Sequence, residues 1–188
     1  GLMIAVALMA PWLAPHDPLE QDLLASFLPP SWQESGDPAF LLGTDTLGRD
    51  VASRLIYGTR TALIVALVAA TLAALLGTTL GMLAGFYGGK TDMLISRGVD
   101  IWMSFPAVLL SIVLVAVIGA GLHAVIIAIV IIDWTRFCRV IRAETMVQKE
   151  RDYVASGITI GLTRFRILIQ EVLPNLMPLL IVLLTLEM

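Results

Sequence analysis

The chain has 188 residues, of which 58% are hydrophobic and only 14% are charged, with a formal net charge of −3. Soluble domains are about half apolar and about a quarter charged, so this balance, with a mean hydropathy of +0.90, indicates an integral membrane protein. The lack of a basic tract argues against nucleic acid as a partner, and a single cysteine, Cys138, excludes an internal disulfide and a cysteine-based zinc site.

The first apolar run, GLMIAVALMAPWLAP, lacks a basic n-region and a suitably placed A-x-A cleavage site. It is therefore typical of the end of a membrane span and not of a signal peptide. Because the chain starts inside this run and ends at Met188 inside another, we expect a truncated first span and a missing C-terminal span. The polar residues 15–60 between the first two spans are expected to form an extracytoplasmic loop.

Charged residues near the end of this loop stand at helical spacing, with Asp45 four residues before Arg49 and Asp50 four residues before Arg54. Such pairs support a surface helix, so we predict an amphipathic helix over residues 45–54. Two interpretations stay open. Either this helix lies on the outer leaflet, or Asp45, Arg49 and Asp50 belong to a docking surface for an extracytoplasmic binding protein.

The second span is the clearest, because no charged residue occurs from Thr61 to Phe86. A helix of that length measures about 39 Å, which crosses a hydrocarbon core of about 30 Å with room for tilt. Small residues recur at every fourth position along it, and in lipid this spacing lets another helix approach closely. We therefore predict a helix-packing seam formed by Ala69, Ala73, Gly77, Gly81 and Gly85. The alternative is that small residues are simply common in membrane helices.

The end of this span, AGFYGGKT, fits a relaxed P-loop pattern. A P-loop needs a strand before its glycine-rich turn and a helix after it, so that backbone N–H groups cradle phosphate. Here a long helix precedes the turn, and a phosphate would meet the unfavourable C-terminal end of its dipole. We therefore predict that Gly88 and Gly89 end the helix, that Lys90 lies at the membrane surface, and that this chain binds no ATP.

Further apolar segments follow at about 101–118, 122–138 and 173–186, which brings the prediction to about five spans or partial spans. Residues 133–171 contain seven Lys and Arg, against three in residues 15–60. Because loops rich in Lys and Arg stay in the cytoplasm, residues 133–171 are predicted to lie inside and residues 15–60 outside. The predicted fold class is all-α, a polytopic transmembrane helix bundle.

Asp133 follows an uncharged apolar run and precedes Trp134. An acid within a span is a functional candidate. However, Trp134 favours a position at the membrane interface, where Asp133 would pair with Arg136 or Arg139, and we prefer that interpretation. No base, nucleophile or metal partner is evident for the two histidines and the cysteine, which are His16, His123 and Cys138.

The segment KERDYVASGITIGLTRFRILIQEVLPNLMP is too polar to span a membrane and too periodic for a loose loop. Gly161 is suited to end a short helix in the left-handed conformation, Thr163 to cap a second helix, and Pro174 to mark its bend into the membrane. The alternative is an interfacial loop whose helices lie flat on the lipid. The first helix, residues 152–160, is predicted to have an apolar side formed by Tyr153, Val154, Ile158 and Ile160.

Several motifs occur in an order that is known from one family of transporters. They are LGTDTLGRDVASRLIYGTR before the second span, GMLAGFYGG at its end, VDIWMSFPAVLL in the third and ERDYVASGITIG…VLPN in the cytoplasmic segment. The last motif places a glycine about a dozen residues before Leu-Pro, as in the so-called EAA loop. Over nearly its whole length the chain thus resembles the membrane permease subunits of binding-protein-dependent ABC importers, in the dipeptide, oligopeptide and nickel branch.

The resemblance implies a type I ABC importer permease fold in which residues 139–173 form an EAA-like coupling loop. Its short helix would sit in a cleft of a separate ATPase subunit, with coupling assigned to Tyr153, Val154, Ala155, Ser156, Gly157, Gly161, Leu162 and Pro174. The Glu-Ala-Ala positions are occupied by Ala155, Ser156 and Gly157, so the usual glutamate is absent. Because the third span approaches the central pathway in this family, Ser104 and Phe105 are pathway candidates, with core packing as the alternative.

The implied function is that of a transmembrane subunit of an ATP-driven importer, which forms the pathway for short peptides, or for nickel and related small solutes, across the bacterial cytoplasmic (inner) membrane. The implied partners are a homologous second permease, two ATP-binding subunits, an extracytoplasmic solute-binding protein and membrane lipid. ATP and Mg²⁺ are expected in the ATPases, with no cofactor, metal or catalytic residue in this chain. The rival class is an intramembrane enzyme or a self-contained channel, for which the sequence shows neither a paired nucleophile and base nor a repeated polar filter.

Overall fold

The computed structural model describes residues 2–187, which contain eight α-helices. They are α1 (Leu2–Leu13), α2 (Val51–Tyr87), α3 (Gly89–Met103), α4 (Ala107–Ile118), α5 (Leu122–Lys149), α6 (Asp152–Thr159), α7 (Arg164–Ile167) and α8 (Leu173–Glu187). A π-helical segment, Leu168–Val172, joins α7 to α8. Over the same residues the only β pairing is one isolated bridge, so the all-α prediction is confirmed. The chain divides into two compact units, Gly1–Ile64 and Val65–Met188.

In the first unit, side-chain oxygens hold the long loop between α1 and α2 in place of regular backbone pairing. The Thr44 hydroxyl, in a residue that is 8% exposed, accepts from the Leu28 N–H at 2.9 Å and donates to the Ala25 carbonyl. Aspartates hold the turns, because a carboxylate can accept a hydrogen bond from the N–H two residues later. Four of them do so at 2.8–3.0 Å: Asp17, Asp22, Asp37 and Asp45.

The surface helix predicted over residues 45–54 is wrong in its first half. Helix α2 begins only at Val51, and residues 45–49 form a tight turn. The reason is that the Asp45 carboxylate accepts hydrogen bonds from the backbone N–H groups two and four residues later, which competes with helix formation. Asp50 instead caps α2 by accepting from the N–H groups two and three residues later.

In the second unit, α2 and α5 approach each other along the small-residue seam. An added Cβ on three glycines of α2 would lie 2.5–2.7 Å from a carbonyl oxygen of α5. Real Cβ atoms essentially never come within 3.0 Å of such an atom, so only glycine permits this distance between the backbones. The pairs repeat every fourth residue on both helices: Gly77 with Trp134, Gly81 with Cys138 and Gly85 with Arg142. Earlier in the seam, Ala69 and Ala73 are also buried.

The third apolar segment is broken where one span was predicted. Helices α3 and α4 meet at an angle of 86° across residues 104–106. Pro106 carries no N–H to donate, so it cannot continue α3, and it becomes the N-cap of α4. The apolar segment predicted over residues 101–118 is therefore not one straight helix.

By length and composition, two helical stretches among the described residues can cross a membrane, Val51–Tyr87 and Arg164–Glu187. The bent pair α3 and α4 makes a third if it is counted as one broken span. Helix α1 is apolar but short, and the second half of α5 is charged, so their service as spans stays a prediction.

Candidate functional site

Helix α6 and the turn after it form a compact projection, as the sequence predicts. Gly161 adopts φ +83°, which is strained for any residue with a Cβ. Its N–H donates to the Ile158 carbonyl, and the Leu162 N–H donates to the Gly157 carbonyl, both at 3.0 Å. These two bonds form a Schellman motif, which satisfies the last carbonyls of the helix. Thr163 then caps α7 by accepting from the Arg166 N–H at 3.3 Å.

The predicted apolar side of α6 is divided between two faces. Val154 is buried and Tyr153 is half-buried, with its hydroxyl donating to the Gln148 side chain at 2.8 Å. Ile158 and Ile160, however, are 60% and 76% exposed. The prediction of one apolar side is therefore wrong, because the left-handed turn folds α7 back against only one face of the helix.

The outward surface of this projection is formed by small and apolar residues. We call it the α6 outer face. A contiguous exposed patch that includes large apolar side chains often marks an interaction site. The α6 outer face consists of Ala155, Ser156, Ile158 and Ile160, all of which are exposed.

The inner face of α6 is continuous with the core of the second unit. Val154 is 2% exposed and belongs to a cluster that draws on five other helical segments. Gly157 is buried against Ile167, with 3.4 Å between an added Cβ and the nearest side-chain atom, so this glycine is not demanded by close approach. The cluster gives α6 a rigid apolar connection to the long helices, through Met82, Phe86, Ile141, Ile167, Leu168, Val172, Leu176 and Leu180.

Pro174 lies inside a continuous helical stretch, Arg164–Glu187. Its missing N–H leaves the Gln170 carbonyl without the usual α-helical donor. The preceding residues, Leu168–Val172, relax into a π-helix at this point. The proline is thus accommodated by a local change of helical pitch, and the bend expected at Pro174 stays a prediction.

The two pathway candidates differ in their surroundings. The Ser104 hydroxyl donates to the Asp100 and Ile101 carbonyls of its own helix at 3.0 and 2.7 Å, so it is satisfied locally. Phe105 is 58% exposed and lines a cavity of about 270 Å³ between the α3–α4 break and α5. Of the two, only Phe105 lines this cavity.

The three docking candidates in the first unit also differ. Asp45 binds the guanidinium groups of both Arg49 and Arg54. Desolvation opposes its ionisation, but hydrogen bonds from the Arg49 and Leu47 N–H groups, and the Arg49 side chain, lower the pKa of Asp45 to about 2. Asp50 is only 2% exposed, so its proposed part in a docking surface is wrong for this conformation.

Asp50 has a structural role that the sequence pattern did not reveal. Its carboxylate accepts a hydrogen bond from the Ser53 hydroxyl at 2.6 Å and lies 3.6 Å from the His16 Nδ1. The His16 ring also stacks on Phe40, with centroids 5.1 Å apart. Desolvation by burial raises the pKa of Asp50, but hydrogen bonds from Ser53 and Ala52 lower it by more, so the net result is a lowered pKa. His16 thus has a neighbouring carboxylate and a stacked ring that the sequence did not reveal.

Three arginines at three-residue spacing on α5 are each paired with an acid on another helix, which the sequence analysis also missed. Arg136 donates to Glu187 at 2.7 Å, Arg139 to Asp100 at 3.0 Å, and Arg142 makes a two-pronged bond with Asp92 that includes one distance of 2.6 Å. Both arginines that were predicted to pair with Asp133 are therefore engaged elsewhere. Only the tertiary arrangement could show this, because the partners lie 39 to 51 residues away.

The AGFYGGKT segment has the predicted surroundings. Helix α2 ends at Tyr87, Gly88 and Gly89 adopt φ +65° and +55°, and α3 starts immediately. A helix therefore precedes the turn where a P-loop requires a strand.

Comparison with known families is decisive at this point. Residues 77–188, which contain the three seam glycines, the broken helix pair and the α6 projection, match the family described as binding-protein-dependent transport system inner membrane component. The chain belongs to this family. Residues 1–30 also match the N-terminal TM domain of oligopeptide transport permease C. The family is one of helical membrane proteins, so the predictions of an integral membrane protein and of a transport component that is not an enzyme are confirmed.

Curated relatives resemble this family member over nearly its whole length. The dipeptide transport system permease protein DppC of Haemophilus influenzae is 40% identical over 98% of the chain and 62% of the relative. The di/tripeptide transport system permease protein DppC of Pseudomonas aeruginosa is 43% identical over 99% and 61%. The glutathione transport system permease protein GsiD of Pectobacterium atrosepticum is 34% identical over 93% and 56%. The chain thus spans about three-fifths of the length of these relatives.

Proposed function

We propose that this chain is a transmembrane subunit of an ATP-driven importer of short peptides in the bacterial inner membrane. The family match and the peptide-transport names of the relatives support this substrate class. Glutathione, the solute named for another relative, is itself a small peptide. Nickel, the other solute considered from the sequence, has no comparable support among these relatives.

The observation that carries the proposal is the two-faced construction of α6. Its outer face offers small and apolar side chains, of which Ile158 and Ile160 are 60% and 76% exposed. Its inner face is fixed by Val154 to the core of the long helices. A rigid short element of this kind can transmit a rigid-body movement, which a flexible loop cannot do.

In this proposal the outer face of α6 fits a cleft on a separate ATP-binding subunit. Closure of the two ATPases around ATP and Mg²⁺ would move α6, and the core cluster would transmit the movement to α2, α5 and α8. Residues 139–173 lie in the cytoplasm and residues 15–60 lie outside, in agreement with the distribution of Lys and Arg. A homologous second permease and an extracytoplasmic binding protein complete the system.

The most direct test is to block the outer face of α6 without disturbing its inner face. Ser156 is exposed, so Ser156→Trp adds bulk where a partner would lie and leaves the core intact. The full-length protein is co-expressed with its ATPase subunits and the second permease. The amount of ATPase that co-purifies is measured, together with the ATP-dependent dipeptide uptake of proteoliposomes supplied with the binding protein. We expect both to fall at least tenfold, because a buried interface does not accept a large side chain without separating.

Leu24→Trp is the control. Leu24 is 99% exposed and lies in the extracytoplasmic loop, so the variant adds the same indole far from α6 in the sequence. It should retain both the ATPase subunits and dipeptide uptake. The proposal is contradicted if Ser156→Trp behaves like this control. Dipeptide passage through the isolated chain without ATP would instead support the self-contained channel.

A further inference from the structure

A cavity of about 270 Å³ lies beside the α3–α4 break, between that break and the middle of α5. Its walls include Trp102, Phe105 and Ala107 from the broken helix pair, and Arg136 from α5. Small-molecule sites in proteins usually measure about 300–1,000 Å³, so this space is at the lower end and suits a very small solute. Discontinuous helices within a membrane commonly mark the place where a transporter contacts its substrate.

Two features place hydrogen-bond donors at this cavity. Arg136 lines the cavity, and its side chain is 65% exposed. Helix α4 also begins there, at Ala107, and its N-cap residue Pro106 provides no side-chain hydrogen bond. The first N–H groups of an α-helix have no helical acceptor and carry the positive end of its dipole. These donors suit an anionic group that takes the place of Glu187 on Arg136, and a carboxylate matches the planar guanidinium best.

Asp133 and Arg136 follow the uncharged first part of α5. The helix carries no charged residue from Leu122 to Ile132. With a rise of 1.5 Å per residue, Asp133 and Arg136 lie about 16 Å and about 21 Å from the start of α5. Ionisable side chains that follow directly on an apolar run of a membrane protein are functional candidates.

The charges around Arg136 form an incomplete set. Arg136 donates to Glu187 at 2.7 Å, whereas Asp133, one turn earlier on α5, has no ion-pair or hydrogen-bond partner among residues 2–187. Asp133 stands three residues before Arg136 on α5, a spacing that brings the two side chains onto neighbouring positions of the same helix face. The cluster thus contains one cation and two acids, and one acid is left for a second cation.

We propose that Asp133, Arg136 and Glu187 form a site that binds the two charged ends of a short peptide during its passage. Arg136 exchanges the Glu187 carboxylate for the C-terminal carboxylate of the peptide, so the guanidinium stays paired throughout. Asp133 and the released Glu187 then bind the terminal ammonium group. A dipeptide spans about 7 Å, which matches side chains one helical turn apart, with Cβ atoms separated by about 5–6 Å. The proposal names the substrate contact within the function proposed above and rests on that function.

The binding test uses the purified, full transporter complex in detergent, without the solute-binding protein. Trp102 lines the cavity, and its indole N–H donates to the Ile131 carbonyl at 2.6 Å, which fixes the ring beside the site. Dialanine is titrated into the wild-type complex and into Trp102→Phe, and the difference in fluorescence reports Trp102. We expect a saturable change with dialanine and at least a tenfold weaker response with alanylalanine amide, which lacks the carboxylate.

Arg136→Met should weaken the response to dialanine about tenfold or more. Arg139→Met is the matched control, because Arg139 lies on the same helix and is also paired with an acid, Asp100, but does not line this cavity. It should respond like the wild type. Equal responses of Arg136→Met and the wild type, or no saturable change in the wild-type complex, would overturn the site.

The double variant Arg136→Glu with Glu187→Arg distinguishes a substrate contact from a helix–helix bridge. A purely structural bridge is restored by this exchange, and dialanine binding would then return to the wild-type value, which would contradict the proposal. A substrate site leaves a carboxylate where the guanidinium lined the cavity, so binding should stay at least tenfold weaker.

Uptake of dialanine by proteoliposomes separates this inference from the proposed function. If the wild-type complex takes up no dipeptide but shows the carboxylate-dependent fluorescence change, the importer proposal fails and the site remains supported. If uptake is normal and Arg136→Met neither slows it nor changes the fluorescence, the importer proposal stands and the site is refuted.

Discussion

The close approach of α2 and α5 leads to a quantitative prediction for Gly77→Ala. The new Cβ would lie 2.5 Å from both the Phe137 Cβ and the Trp134 carbonyl oxygen, whereas ordinary contact begins at 3.4 Å. The helices must therefore separate by up to 0.9 Å, the difference between these two distances. Overpacking of this kind costs about 1–3 kcal/mol. At about 2–4 °C per kcal/mol, we expect the Tm to fall by roughly 2–12 °C.

Cys138 offers a direct assay for this prediction, because it is the only cysteine, is 1% exposed and lies in the same seam. Thermal unfolding of the detergent-solubilised protein can be followed by the reaction of this thiol with a fluorogenic maleimide. Labelling should occur at lower temperature in Gly77→Ala than in the wild type. Labelling at the temperature of the wild type would refute the reasoning.

Gly58→Ala is the matched control on the same helix. An added Cβ at Gly58 meets nothing within 4 Å, and its backbone conformation is an ordinary helical one. Because alanine is the better helix former, this variant should be neutral or more stable by up to about 1 kcal/mol. If Gly58→Ala is as destabilising as Gly77→Ala, the loss does not come from the seam.

Three further predictions follow from the turn and the ion pairs. Gly161→Ala should destabilise the α6 turn by about 1–2 kcal/mol, because the residue has a φ of +83°. Steric contact adds nothing to this cost, since an added Cβ meets no atom within 4 Å. The loss should appear as faster amide hydrogen exchange confined to α6 and α7. Asp92→Asn should loosen α3 from α5, because Arg142 loses the carboxylate that it binds through two hydrogen bonds, and the free energy of unfolding should fall by about 1–3 kcal/mol. Chemical denaturation measures this loss. Asp100→Asn is the comparison and should cost less, because Asp100 makes a single, exposed bond to Arg139. In the first unit the pKa of Asp45 is lowered to about 2, and the pKa of Asp50 is also lowered. The unfolded chain therefore binds more protons than the folded chain when the pH falls. The stability that these two carboxylates contribute is complete above the ordinary carboxyl pKa of about 4 and is lost as the pH falls towards about 2. The fluorescence of Trp32, the tryptophan of this loop, should report the acid transition, and a transition that begins only below pH 2 would contradict the prediction.

The positions of the helices could be read from the sequence wherever one local pattern dominates. The uncharged run from Thr61 to Phe86 predicts the core of α2, and its end at the two glycines is found as expected. The short α6 helix, the left-handed Gly161 and the Thr163 cap were likewise predicted, because caps and turns depend on residues only a few positions apart.

Local patterns failed where two structures compete for the same residues. The i,i+4 charges at residues 45–54 suggested a helix, but the Asp45 side chain satisfies the backbone as a turn, which costs no helix nucleation. The apolar residues of α6 suggested one buried side, but only the face that meets α7 is buried. The break at Pro106 was missed because the apolar composition continues across it.

The sequence alone determined that this chain is a helical membrane protein with a glycine-ended projection, because hydropathy, charge and turn chemistry act over a few residues. Only the tertiary structure decided which acid each of the three paired arginines of α5 binds, and that Asp133 has no such partner among residues 2–187. It also decided that three glycines of α2 meet carbonyl oxygens of α5. The reason is that these contacts join residues on separate helices, and their rotation and distance are set by packing the whole second unit, which no local pattern contains.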